Sequence, residues 1–99
     1  MNYDWPFADP PNVAVFTVRR ILEDGKPILR VCHDEDDGGW HFLDGGPCTN
    51  DQAMIVSLQE VVSRDPTIAA LADLPVGWEA ARSGVGKPWE RRRMPPSEE

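Results

Sequence analysis

The first part of the chain contains a mostly apolar run of the residue types that β-strands favour. The stretch NVAVFTVRRIL, residues 12–22, opens with a run rich in valine and phenylalanine, directly after the prolines of ADPPN. Such residues favour strands. Asp24-Gly25 follows, and the glycine can adopt the positive φ angle that a tight hairpin turn requires. The pattern therefore predicts a hairpin whose second strand runs from Pro27 to His33.

The stretch HDEDDGGWHFLDGG, residues 33–46, predicts a second hairpin. Aspartate and glycine tolerate turn geometry, so DEDDGG is expected to join a strand over 29–33 to a strand over 40–43. With His33 opposite Trp40, neighbouring cross-strand pairs lie on alternate faces of the sheet. The other predicted pairs are Val31 with Phe42 on one face, and Cys32 with His41 and Arg30 with Leu43 on the other.

Two helix starts are indicated between residues 49 and 60. Thr49 with Gln52 and Ser57 with Glu60 both match the capping-box pattern. We favour the second, because MIV at 54–56 is typical of a short strand. The apolar residues from 58 to 62 then recur at the i, i+3, i+4 spacing of a two-turn helix, which we expect to end at Arg64.

The remainder of the chain predicts a second helix and a last pair of strands. Asp65 and Pro66 have the residue types of a helix N-cap and first helical position, and Pro75 is expected to end that helix. A final strand pair is predicted around residues 83–87, with Trp78 and Trp89 as anchors. The fold class is therefore α+β: a small antiparallel sheet of about 4–6 strands, with two short α-helices after the central hairpin.

The length of 99 residues predicts one folded domain, placed at 13–90. A Pro-rich N-terminal arm over 1–12 and a flexible charged tail over 91–99 are expected to flank it. No stretch approaches the roughly 18 apolar residues of a membrane helix, and the first residues lack the basic and apolar parts of a signal peptide. Cys32 and Cys48 are predicted to be free thiols. We expect a cytoplasmic protein that binds no membrane.

The net charge of −7 belongs to one segment of the chain. Residues 31–63 contain seven acids and no lysine or arginine, while acids and bases balance elsewhere. This segment would repel phosphate backbones, which argues against nucleic-acid binding, and it would attract a basic protein by electrostatic steering. The run Arg91-Arg92-Arg93 is the exception, and its Pro-rich, Glu-terminated surroundings favour a solvated tail.

The acidic run is a poor match to known metal sites. It resembles the start of a calcium loop, but the fifth and twelfth positions, which require oxygen ligands, are Gly38 and Gly45. An EF-hand is excluded. Four residues of the types that bind zinc lie nearby: Cys32, His33, His41 and Cys48. Their spacing is unlike that of zinc sites, and adjacent strand residues point to opposite faces. We predict no metal ligands and no cofactor.

A thiol enzyme is the alternative that the residues leave open. Cys32 and His41, opposite each other in the predicted register, could act as a nucleophile and its base. A catalytic pair also needs an orienting group and an oxyanion site, and the sequence supplies neither. We therefore predict no catalytic residue and no enzymatic activity. The alternative is a small-ligand or metal-binding enzyme-like domain that uses Cys32, His33 and His41.

Three stretches of the chain together resemble a bacterial family first catalogued as a domain of unknown function: TVRRILEDGKPI, HDEDDGGWHFLDGG and SLQEVVSRDPTIAALADLPVGW. The resemblance covers residues 17–78. Gly39, Trp40 and Phe42 lie on its most recognisable element, and Asp65-Pro66 on the second. Members of that family are regarded as immunity proteins of polymorphic toxin systems, which neutralise a toxin by binding it. The Pro-rich arm and the Arg-rich tail depart from the family pattern.

The resemblance implies a non-enzymatic protein-binding module, and the acidic segment offers a mechanism for it. Its carboxylates could mimic a polyanion and occlude a basic cleft of a toxin. The predicted partner-binding residues are Asp34, Glu35, Asp36, Asp37, Trp40 and Asp44. Two readings compete with this one: the acids only keep the hairpin soluble and protect the sheet from edge pairing, or the chain is an accessory module of a larger complex.

Overall fold

A computed structural model describes residues 5–95 of the chain and shows an α+β fold. Its elements are, in order, β1 (Ala14–Val18), α1 (Arg19–Glu23), β2 (Arg30–His33), β3 (Trp40–Leu43), β4 (Ala53–Ser57), α2 (Leu58–Arg64), a 3₁₀ helix (Pro66–Leu71), β5 (Trp78–Ala81) and β6 (Glu90–Arg93). The six strands form one sheet in the order β4-β1-β3-β2-β5-β6. The predicted fold class is confirmed. The sheet is mixed rather than antiparallel, because β1 and β3 run parallel.

The central hairpin has the predicted register. His33 pairs with Trp40, and the three further pairs between β2 and β3 are those expected from the sequence. Gly38, with φ 71°, supplies the left-handed residue of the turn. The short link leaves the two strands little freedom to slide, which is why the local pattern determined their pairing.

The first predicted hairpin is wrong. Residues 19–23, expected to continue a strand, form α1, in which Ile21 and Leu22 are buried. Asp24 is the C-cap of this helix, and Gly25 follows it with φ 72°. The Asp-Gly pair therefore ends a helix instead of turning a hairpin, and a left-handed glycine serves both purposes. Strand β1 consequently does not pair with β2 and lies between β3 and β4.

The second half of the chain follows the prediction closely. The Ser57 hydroxyl accepts a hydrogen bond from the Glu60 amide at 3.2 Å and caps α2, which ends at Arg64 as expected. Asp65 caps the next helix by accepting from the Thr67 amide at 3.0 Å. That helix is 3₁₀ rather than α and ends at Leu71, before Pro75. Strands β5 and β6 form the predicted last pair.

Both predicted flanking segments are partly integrated into the domain. Phe7, in the predicted arm, is buried and meets the Trp40 ring edge-on at 5.3 Å. Arg91–Arg93, predicted to begin the flexible tail, belong to β6. The residues of the predicted arm and tail at 1–4 and 96–99 lie outside the described part of the chain.

The core occupies one face of the sheet. Val31, Phe42 and Ala80 point to this face and are fully buried, together with Leu58 and Val61 of α2. The opposite face, which we call the open face, carries side chains that range from exposed, as at Ile55, to buried, as at Cys32 and Glu79. Within residues 5–95 no helix is long and apolar enough to cross a membrane. Both cysteines are free, as predicted.

Candidate functional site

One row of side chains crosses the entire open face. Each strand contributes one residue, and each residue pairs with the next across the sheet. We call this set the open-face row: Ile55, Phe16, His41, Cys32, Glu79 and Arg92. Cross-strand partners share a face of the sheet. The row therefore changes from apolar at the β4 edge to charged at the β6 edge.

The side chains at the apolar end of the open-face row are at least partly exposed to solvent. Ile55 keeps 67% of its surface exposed, and Phe16 is half-buried. The Phe16 and His41 rings lie 5.1 Å apart between centroids. A large exposed apolar side chain beside an aromatic pair is a surface that favours contact with another protein.

The charged end of the row is internally neutralised. The Glu79 side chain is only 4% exposed and accepts hydrogen bonds from Arg30, at 2.7 Å, and from Arg92. Burial raises the pKa of Glu79, but the bonds from the two guanidinium groups outweigh it and hold the pKa below its usual value. These charges stabilise the sheet and are already used within the chain.

Cys32 lies in the middle of the row and is buried. Its Sγ is 3.9 Å from Oε1 of Glu79, and burial raises its pKa, although Arg30 opposes the shift. A thiol held protonated is a poor nucleophile. His33 of the alternative hypothesis is on the other face, where its ring stacks on Trp40 at 3.9 Å and its Nδ1 is 2.7 Å from the Leu74 carbonyl oxygen. The structure therefore brings Cys32 and His41 together but separates them from His33.

The turn of the central hairpin carries the acidic tip, which we define as Asp34–Asp37. Two of its carboxylates shape the turn: Asp34 accepts from the Asp36 amide and Asp37 from the Gly39 amide, each at 2.9 Å. Glu35 and Asp36 are exposed. None of the ion pairs within residues 5–95 includes a carboxylate of the acidic tip. Its negative charge is therefore directed to solvent.

Trp40 and Asp44, predicted as partner-binding residues, have structural contacts instead. Trp40 is 3% exposed, and its Nε1 donates to a carboxylate oxygen of Asp9 at 2.8 Å. Asp44 accepts two hydrogen bonds from Arg20, at 2.6 and 2.9 Å. These bonds lower the pKa of Asp44 to about 2. Neither side chain is available to a partner, so the candidate contact set is reduced to the four acids of the tip.

A shallow cleft of about 230 Å³, the tip cleft, joins the acidic tip to the open-face row. Its lining consists of Cys32, Asp34, Glu35, Asp36, His41, Gly77, Met94 and Pro95. Gly77 has φ 85°, and a Cβ there would lie 3.3 Å from Oε1 of Glu35. The tip cleft combines three carboxylates with Cys32 and His41 of the two central strands, an arrangement that suits a long cationic side chain. Among the described residues, no group of three or more histidine, cysteine, aspartate and glutamate side chains is placed to hold a metal ion.

The sequence analysis missed three residues of the row, Phe16, Ile55 and Glu79. Phe16 could have been found, because the alternation in AVFTV turns it away from Val15 and Thr17. Glu79 had no local signal, since both arginines that surround it come from other strands.

No family model, curated protein or solved structure matches this chain. The resemblance to immunity proteins therefore stays a prediction.

Proposed function

We propose that this protein is a non-enzymatic protein-binding module whose acidic tip and tip cleft receive a basic protein, and that its partner is a toxin which it neutralises. One observation carries the proposal: within residues 5–95 the four consecutive carboxylates of the tip have no ion pair, whereas most arginines are paired with carboxylates elsewhere. Seven of its eight arginines form ion pairs with carboxylates within the described residues. The tip carboxylates take part in none of them, so the negative field of the molecule concentrates at one hairpin.

The geometry supports a two-part contact. Charge at the acidic tip accelerates the approach of a basic surface, an effect that weakens as salt is added. The tip cleft then accepts a lysine or arginine side chain, and the neighbouring His41 and Phe16 provide surface that loses its water on contact. In a toxin, a basic substrate-binding cleft has the chemistry to be covered in this way.

Two further observations support the proposal. The raised pKa of Cys32, caused mainly by burial, disfavours thiol chemistry at the tip cleft. The free thiols of Cys32 and Cys48 agree with a cytoplasmic location, where cysteines are kept reduced. The alternative function, an enzyme-like domain, retains only Cys32 and His41, which both line the tip cleft. The enzyme-like alternative predicts that the Cys32 thiol reacts rapidly with thiol reagents, and the binding proposal predicts that it reacts slowly.

The test is capture of partners from a lysate of the source organism with matched charge variants. The tip variant is Glu35→Lys with Asp36→Lys, which leaves in place the Asp34 and Asp37 carboxylates that shape the turn. The control is Asp24→Lys with Glu90→Lys, two exposed acids away from the tip that change the net charge equally. We expect a basic protein that is retained by the wild type and the control at low salt and lost from the tip variant.

Retention of that protein by the tip variant would refute the role of the acidic tip. If the retained protein is a toxin, addition of this chain should abolish its activity in a purified assay. If it is a component of a housekeeping complex, the accessory-module reading replaces the immunity one.

A further inference from the structure

The two edges of the sheet are built differently. The edge strand β6 reads ERRR, and all four of its residues are exposed. Charged residues of this kind are the usual protection of an edge against pairing with another chain. The other edge strand, β4, reads AMIVS and contains no charge, no proline and no glycine. Ile55, at its centre, is 67% exposed. One edge of this sheet is therefore protected, and the other is open to pairing.

The hydrogen bonds around β4 identify which of its backbone groups face outward. The Arg19 amide donates to the Gln52 carbonyl oxygen at 2.7 Å, and the Leu58 amide donates to that of Val13 at 2.8 Å. In an antiparallel pair every second residue bonds to the neighbouring strand. Residues 54 and 56 therefore bond to β1, whereas residues 53, 55 and 57 present their amides and carbonyls to the outer edge.

Part of this outer edge is already used within the chain. The Ala53 amide donates to the Asn50 carbonyl oxygen at 3.4 Å, and the carbonyl of Ser57, as N-cap, accepts the first bond of α2. The groups left facing outward are both backbone groups of Ile55, the Ala53 carbonyl and the Ser57 amide. These groups are arranged symmetrically about Ile55. Ile55 at the centre offers both a donor and an acceptor, the Ala53 carbonyl is an acceptor two residues before it, and the Ser57 amide is a donor two residues after it.

We propose that β4 pairs with β4 of a second copy of this chain, antiparallel and centred on Ile55. In this register Ile55 lies opposite Ile55, and Ala53 opposite Ser57. Four backbone hydrogen bonds form, two between the isoleucines and one from each Ser57 amide to the facing Ala53 carbonyl. On the open face the two Ile55 side chains and the adjoining Phe16 rings make one apolar patch. On the other face Met54, half-buried, lies opposite Val56.

The distribution of charge favours a second copy rather than opposing it. Ala14 pairs with Ser57, and β1 runs parallel to β3, so Ser57 is at the same end of the sheet as the acidic tip. The antiparallel two-fold arrangement places the two Ser57 residues, and hence the two acidic tips, at opposite ends of the joined sheet. No charge occurs on either β4, so the pairing brings no like charges together along the strand.

The mass of the protein in solution tests this proposal. Sedimentation equilibrium of the full chain should give a concentration-dependent mass that approaches twice 11.1 kDa. Ile55→Lys places two lysines opposite each other and should return the mass to 11.1 kDa. Val85→Lys is the matched control, because Val85 is equally exposed, at 68%, and lies outside β4. It should leave the mass of the wild type unchanged.

Hydrogen exchange identifies the register independently of the variants. The Ile55 and Ser57 amides should become protected as the chain concentration rises, while the amides of β6 should not change. A mass of 11.1 kDa up to about 1 mM chain would overturn the proposal. A dimer that persists in the Ile55→Lys variant would also overturn it. So would a dimer in which the Ile55 amide exchanges freely, because another surface would then form the contact. Circular dichroism verifies that each variant is folded. Partner capture through the acidic tip is a separate measurement, so either proposal can fail alone.

Discussion

At the scale of single residues, the buried guanidinium of Arg82 has contacts that tie three parts of the chain together. Its side chain is 2% exposed and donates to the Ile28 carbonyl oxygen at 3.0 Å and to Asp65 at 2.8 Å. It also lies 4.3 Å from the centre of the Trp89 ring. A buried cation persists only when its donors are satisfied. Asp65 therefore has two tasks, as the cap of the 3₁₀ helix and as the counter-ion of Arg82.

Asp65→Ala should be far more destabilising than the loss of an ordinary helix cap. We expect the free energy of unfolding to fall by about 3–5 kcal/mol, because a buried arginine loses its counter-ion. Ser57→Ala, which removes only a cap from α2, should cost about 1 kcal/mol. Urea denaturation of the two variants measures the difference. Equal losses would show that Arg82 gains nothing from its ion pair.

Sequence patterns reveal residue roles only when the partner is close along the chain. The capping roles of Ser57 and Asp65 were predicted correctly, because each bonds an amide two or three positions later. The pairing of Asp65 with Arg82 depends on the folded chain and left no local signal. Trp40 shows the same limit, since its position in a loop-flanked strand could not distinguish an exposed contact residue from one buried against Phe7 and His33.

At the scale of elements, β6 is a strand without any buried side chain. Beyond its backbone pairing with β5, its described polar contacts are those of two arginines. Arg92 binds the buried Glu79, and Arg91 binds Asp73 and the Ala70 carbonyl oxygen. Glu79 is therefore the contact through which this edge strand reaches the interior of the sheet.

Glu79→Gln should increase the local opening of β6 while the rest of the domain stays folded. The neutral amide cannot accept two charge-assisted bonds, so we expect a loss of about 1–3 kcal/mol in the free energy of unfolding. Amide exchange at residues 90–93 should accelerate more than exchange in β2 and β3. The control is Glu90→Gln, on the exposed surface of β6. If residues 90–93 exchange as slowly in the Glu79 variant as in the wild type, the ion pairs do not hold the strand.

The elements that were predicted correctly are those specified by neighbouring residues. The β2–β3 hairpin is closed by a short turn, and α2 is marked by its own cap. The order of the strands is not local information. Nothing in the sequence of β1 indicates that it lies between β3 and β4, and the Asp-Gly signal at its end suited a helix terminus as well as a hairpin. The acidic tip was identified from sequence, but the open-face row required the strand order.

At the scale of the whole molecule, folding and charge are linked through the carboxylates with lowered pKa. The bonds from Arg20 lower the pKa of Asp44 to about 2, and the pKa of Asp73 is lowered mainly by its bond with Arg91. A carboxylate whose pKa is lower in the folded chain than in the unfolded one stabilises the fold at pH values above the unfolded value, near 3.9. That contribution is lost as the pH falls through the folded pKa.

The protein should therefore lose stability steeply between about pH 4 and pH 2. Asp44→Asn should lower the free energy of unfolding at pH 7, because the half-buried guanidinium of Arg20 loses its charged partner. The difference between this variant and the wild type should shrink toward pH 2, where Asp44 itself becomes protonated. Asp24→Asn, at an exposed position, is the control. Urea titrations at several pH values measure the free energy of unfolding of both variants and the wild type. A difference between Asp44→Asn and the wild type that does not depend on pH would show that protonation of Asp44 is not linked to stability.

The position of β1 between β3 and β4 also has a consequence for how the chain acquires its structure. The β2–β3 hairpin can form within microseconds from adjacent residues, whereas β1 gains neighbours only after Leu43 and Ser57 have been made. At roughly 5–20 residues per second of synthesis, the apolar segment AVFTV stays unpaired for seconds. During that interval the unpaired AVFTV segment is an apolar site on the nascent chain to which chaperones can bind.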